Sequence, residues 1–175
     1  IMARISNTTA YSSIIPTLSD YFVLTDSENS LNTKTCTLSN LQTLFGLSVT
    51  TVTIAIPPAS LKVIGPQPYT LLPAPGTGYV YDVAGIVSFM SAGSVPYDFP
   101  NTLSIVQGTI QEPLPLLLLN ATTNKVYKND PSPAEFIPVN TGLILTGIAS
   151  PNEPFGNGTL YIKITYRKLK LDSTF

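Results

Sequence analysis

From Val49 onward the chain alternates apolar and polar positions with period two. Val52, Ile54 and Ile56 are interleaved with Thr51, Thr53 and Ala55, and near the far end Leu160, Ile162, Ile164 and Tyr166 are interleaved with Tyr161, Lys163, Thr165 and Arg167. This is the pattern of β-strands that bury one face. Tyr79 to Phe89 is apolar on both faces and fits a central strand covered on two sides. Further strands are expected at Lys62 to Ile64, Thr102 to Val106, Thr109 to Ile110 and Leu116 to Leu119. Another is expected at Phe136 to Val139, leading into Leu143 to Thr146. Pro57-Pro58, Pro73-Ala74-Pro75-Gly76, Asn140-Thr141-Gly142 and Gly156-Asn157-Gly158 punctuate them as turns. The recurrent prolines rule out long helices. About eight strands with no helical pattern between them predict a β-sandwich, and the jelly roll is the usual eight-stranded version. The predicted class is all-β, a jelly-roll-like antiparallel sandwich over residues 49–175.

Residues 1–48 follow a different pattern. The first fifteen are polar and rich in Ser and Thr. Tyr21-Phe22-Val23-Leu24 reads as a short strand, Asp26 to Ser30 as a turn, and Lys34 to Thr37 as a return strand. The run TLSNLQTLFG is the one helix the sequence suggests. Thr37 stands at its N-cap, Leu38, Leu41, Leu44 and Phe45 share a face, and Gly46 sits at the C-terminal position that favours a left-handed residue. So short a helix does not persist alone in water. An extended arm of this size cannot bury its apolar side chains against itself, so it needs a partner surface: its own sandwich, a neighbouring subunit or a larger particle. Tyr21, Phe22, Leu24, Leu38, Leu41, Leu44 and Phe45 are the expected docking residues.

Only 11% of the 175 residues are charged, well below the roughly 25% usual in soluble domains, while 43% are apolar. Such poverty of charge suits a subunit packed against others, because burying a charge costs on the order of several kcal/mol. The net charge of −1 gives no general attraction to nucleic acid or to anionic membranes. Lys163, Arg167, Lys168 and Lys170 concentrate positive charge near the end of the chain, where they fit a charged strand edge or a contact for an acidic partner. No run approaches the roughly 20 apolar residues of a membrane span. The opening IMARISNTTA lacks the apolar segment of a secretion signal, so the sequons at Asn7, Asn120 and Asn157 are read as chance matches.

The sequence contains no histidine, which removes the Ser-His-Asp and Cys-His routes and the usual zinc and iron ligand sets. Its one cysteine, Cys36, reads as a small filler residue. Asp26 and Glu28, with Asn29 beside them, are the closest carboxylate pair and read as a solvated turn. No pair is marked as glycosidase-like. Asp82, inside the central strand, is expected either at an edge or paired with a cation at an interface. The glycine-rich pieces PGTGYVYD and PFGNGT lead into no helix and read as hairpin turns rather than phosphate loops. The loop bearing Tyr97, Asp98, Phe99 and Asn101 is the best candidate for ligand or receptor contact, with packing on the sandwich edge as the plainer alternative. No enzyme activity and no cofactor or metal are expected.

The arm resembles the N-terminal segments of bacteriophage fibre and decoration proteins. The resemblance rests on Pro16, Asp20, Tyr21-Phe22-Val23-Leu24 and Asp26, then Thr33-Lys34-Thr35-Cys36-Thr37-Leu38 and Leu41. The remainder resembles the small β-sandwich of tailed-phage virion proteins, marine and cyanobacterial phages especially. There it rests on Leu71-Leu72-Pro73-Ala74-Pro75-Gly76-Thr77-Gly78-Tyr79-Val80 and Gly156-Asn157-Gly158-Thr159-Leu160-Tyr161-Ile162. The resemblance implies a non-enzymatic homotrimer located in the virion. It would be a capsid decoration or cement protein docked by its arm on major capsid, tail or portal proteins. The alternatives are a tail or head fibre adaptor and a carbohydrate-binding jelly roll that contacts host-surface glycan.

Overall fold

The structure, a computed structural model, describes residues 17, 19–26, 32–44, 49–129, 138–152 and 155–171. The chain divides into two compact units, Ile1–Ser48 and Val49–Phe175.

In the first unit, β1 (Tyr21–Asp26) pairs antiparallel with β2 (Asn32–Thr37) from Tyr21 opposite Thr37 to Asp26 opposite Asn32, and α1 (Leu38–Leu44) follows directly. Thr37 caps this helix, its Oγ1 accepting from Asn40 N–H at 3.1 Å, which satisfies an amide the first turn cannot. The Leu38 amide donates to Asp20 O at 2.9 Å and extends the ladder to the hairpin mouth. Gly46, expected to end the helix, lies outside the described residues.

Among its described residues the second unit is a two-sheet sandwich of eight strands. They are β3 (Thr50–Ile56), β4 (Tyr69–Leu72), β5 (Tyr79–Ser91), β6 (Leu103–Gln107), β7 (Ile110–Leu114), β8 (Lys125–Asn129), β9 (Leu143–Gly147) and β10 (Thr159–Lys170). One sheet has the order β3-β10-β5-β8, the other β4-β9-β6-β7, and every pairing is antiparallel. Only β6 and β7 are joined as a hairpin, through Gly108 at φ +60°; each of the other connections crosses from one sheet to the other. The first and last of these eight strands lie side by side, and the third lies beside the last. This is the strand order of a jelly roll.

Alternation places Ile56, Ile86, Met90, Leu160, Ile162 and Ile164 on the inner face of one sheet, opposite Leu72, Leu103, Ile105, Leu114, Leu143 and Leu145 of the other, all buried. β5 and β10 form the longest ladder, interrupted by an irregularity between Thr165 and Tyr166.

Four local expectations are corrected. Leu116–Leu119 is a helical turn, α3, rather than a strand. Pro115 starts it in extended geometry, the Asn120 amide reaches back to Leu116 O at 2.8 Å, and leucine favours helix over strand. Lys62 to Ile64 is not a strand either; it follows the short helix α2 (Pro58–Leu61), nucleated by proline at the first helical position, and the Lys62 amide donates to Pro58 O at 3.1 Å. The two glycine-rich pieces are corner turns between sheets rather than hairpins, since the strands they join, β4 to β5 and β9 to β10, are not partners. Gly76 and Gly78 take φ of +105° and +78° there, which a side chain would disfavour.

Candidate functional site

The residues expected to dock the arm sit on the hairpin and its helix. Tyr21 is 71% exposed and Phe22 42%, and they occupy opposite faces of β1 as successive strand residues. Leu38 and Leu41 are half-buried on α1. Leu24 lies on β1 opposite Lys34, and Leu44 ends α1. Phe45 lies outside the described residues. Cys36 is a free, half-buried thiol opposite Phe22.

The loop expected to contact a ligand has the opposite character. Tyr97 and Phe99 are 3% and 1% exposed, their rings 5.4 Å apart in the core, so neither offers a face for stacking. Of the four candidate residues, Asp98 and Asn101 are the exposed ones. The physical reason is a dense set of loop-to-loop hydrogen bonds. The Tyr97 hydroxyl donates to Gly158 O at 2.8 Å. Asn157 Oδ1 accepts from Val95 N–H at 2.9 Å, and its Nδ2 donates to Ser94 Oγ at 2.9 Å. Asn120 accepts from Phe99 N–H at 2.8 Å and donates to Phe99 O at 3.1 Å. Asn152 Nδ2 donates to Asp98 Oδ2 at 3.0 Å. Both described sequon asparagines thus have one amide N–H engaged in loop-to-loop hydrogen bonds. Burial pushes the Tyr97 hydroxyl up to about 12.

Asp82 is paired within its own sheet. It lies directly opposite Arg167, whose Nε–H donates to Oδ2 at 2.8 Å and whose Nη2 contacts the same oxygen. Lys168 lies 4.4 Å from the centroid of the Tyr79 ring. The basic run near the chain end is thus partly engaged by its own ladder. Next to it, Tyr81 meets Tyr166 edge-on at 4.9 Å, and desolvation followed by the neighbouring Tyr166 raises the Tyr81 hydroxyl. Among the described residues no three His, Cys, Asp or Glu side chains gather to hold a metal, and no helix is long and apolar enough to cross a membrane.

The sequence did not reveal an apolar stripe on the outer face of the β3-β10-β5-β8 sheet. Register sets Ala55, Tyr161, Phe89 and Val126 side by side across all four strands. The Phe89 and Tyr161 rings stack at 5.8 Å, and Val126 is 67% exposed. Phe89, Tyr161 and Val126, together with Thr53, Val87, Ser91 and Lys163, line a shallow groove of about 360 Å³. Apolar residues at both Val87 and Phe89 hinted that β5 has a second apolar face, but the row needed the register of strands distant in sequence.

Comparison with protein-family models, with curated proteins and with solved structures returned no match for this chain.

Proposed function

We propose that the chain is a bacteriophage virion structural protein. It would be a trimeric capsid decoration or cement protein that docks through residues 1–48 and presents the jelly roll as its body. The carrying observation is the hairpin–helix unit ahead of the sandwich, which displays Tyr21 and Phe22 to solvent. Exposed aromatics concentrated on a small element mark a contact surface more than a fold requirement. Jelly rolls recur in viral capsid proteins, although the fold by itself serves many functions. The test is co-sedimentation of the full chain with empty capsids assembled from a major capsid protein of the same virion. Tyr21→Ser with Phe22→Ser should abolish binding and leave the thermal midpoint of the sandwich unchanged; retention of full binding would refute the docking role.

A second reading, a glycan-binding jelly roll for host adhesion, is favoured by the Phe89–Tyr161 stack. Paired rings beside hydroxyls of Thr53 and Ser91 suit the apolar face of a sugar. A glycan-array signal lost in Phe89→Ala would favour this reading over the first.

A further inference from the structure

Among the described strands the sandwich has four sheet edges, and three carry recognisable guards against pairing with another chain. β8 bears Lys125 and Lys128. β7 contains Pro113 and turns Glu112 inward, and Asn129 Nδ2 donates to the Pro113 carbonyl at 3.1 Å. β4 is four residues long and carries a register irregularity between Thr70 and Leu72. Lysine, proline, inward charge, shortness and bulging are the standard means of blunting an edge.

β3 has none of them. It runs seven residues, TTVTIAI, with no charge, proline or glycine, and pairs with β10 without irregularity. It is terminal in its sheet among the described strands. Val52 and Ile54 pack against the core yet stay only partly buried, because nothing in the described sheet continues past them.

We infer that β3 is a homotypic interface, pairing antiparallel with β3 of a second copy across a two-fold axis at Thr53. Self-pairing suits this edge because the strand brings no charge to set against a like charge in the second copy. Keeping core face to core face requires a residue on the dyad, since a one-residue slip turns every side chain over. With Thr53 on the dyad all seven residues pair. Val52 lies opposite Ile54 on the core side, covering the half-exposed pair, and Thr51 lies opposite Ala55 on the outer side. The two four-stranded sheets become one continuous sheet of twice the width. The contact does not depend on the virion reading. In a free chain it joins two copies, and in a trimer whose dyads cross the three-fold axis at right angles it joins two trimers; in both its loss halves the mass.

The test uses the full chain in sedimentation equilibrium. Thr53 is exposed and stands opposite Lys163 in the β3–β10 ladder, so Thr53→Lys sets like charges across that pair as well as two ammonium groups on the dyad, and a retained thermal transition shows that the fold survives. It should weaken self-association at least ten-fold and halve the mass, whereas Thr70→Lys on the guarded β4 edge should leave the mass as in the wild type. For register, cysteines are introduced with Cys36→Ser in the background. Thr53→Cys should form a disulfide-linked pair on oxidation, because opposed strand residues lie within disulfide reach. Thr51→Cys should cross-link to Ala55→Cys in a mixture and not to itself. A mass that Thr53→Lys leaves unaltered, a wild type that is monomeric throughout, or efficient self-linking of Thr51→Cys would each overturn the interface.

Discussion

Arg167 stands directly across the β5–β10 ladder from Asp82 and donates its Nε–H to the carboxylate at 2.8 Å, close to the irregularity that interrupts the pairing. The pair is only partly shielded, with side-chain exposures of 41% and 23%. Its expected coupling, from a double-mutant cycle with Asp82→Asn and Arg167→Met, is therefore about 0.5–1 kcal/mol. It should shrink in high salt. Urea midpoints for the four proteins measure it; a coupling indistinguishable from zero at low salt would mean the pair only marks register.

Tyr97 makes the sandwich sensitive to base. Its hydroxyl titrates at about 12 in the fold, above the roughly 10 of an unfolded tyrosine. The folded protein holds this proton more tightly than the unfolded chain does. The associated stability is full below about pH 10 and is lost as pH rises from there toward 12. Spectrophotometric titration of wild type against Tyr97→Phe should show one tyrosine ionising late. The variant, which loses the bond to Gly158 O, should be about 1 kcal/mol less stable at neutral pH.

Gly156 and Gly85 make opposite predictions. A Cβ at Gly156 would stand 2.5 Å from Tyr97 Cγ and 2.6 Å from the Tyr97 amide nitrogen, whereas one at Gly85 would meet nothing within 4 Å. Gly156→Ala should cost about 1–3 kcal/mol through overpacking. Gly85→Ala should be neutral or stabilising by up to about 1 kcal/mol, since a glycine inside a strand loses more conformational freedom on folding. Thermal midpoints separate the two outcomes.

The helical character of α3 has a mutational signature. Leu118 and Leu119 are both buried while Leu117 is 73% exposed. Truncation to Ala should cost about 2–5 kcal/mol at each of Leu118 and Leu119. At Leu117 the change should stay within about 0.5 kcal/mol. A strand would bury alternate residues, so a strong effect at Leu117 together with a weak one at Leu118 would contradict the helix.

The sequence made some elements legible and hid others for identifiable reasons. β3 and β10 were readable because each buries one face, which writes alternation directly into the residues. β5 was readable because both faces are apolar. β8, with the sequence KVYKN, escaped notice because an edge strand needs lysines more than it needs a pattern. β7 was recognised only at its start, because Glu112 and Pro113 look like a break while an edge strand tolerates both. Leu116 to Leu119 was misread because four apolar residues suit a strand and a helix turn equally. In the loop, Tyr97 and Phe99 alternate with Asp98 and Pro100, and that period of two was the available signal that both rings point inward. The Phe89–Tyr161 stripe had only a partial local signal, the second apolar face of β5, since the row itself exists only once β10 lies between β3 and β5.

The most direct measurement of the proposed docking is a cryo-EM map of phage capsids incubated with this chain. The account predicts density for the sandwich on the particle surface, with residues 1–48 seated against shell or tail protein and Tyr21 and Phe22 covered. A map in which the sandwich makes every contact with the particle while Tyr21 and Phe22 face open solvent would contradict it.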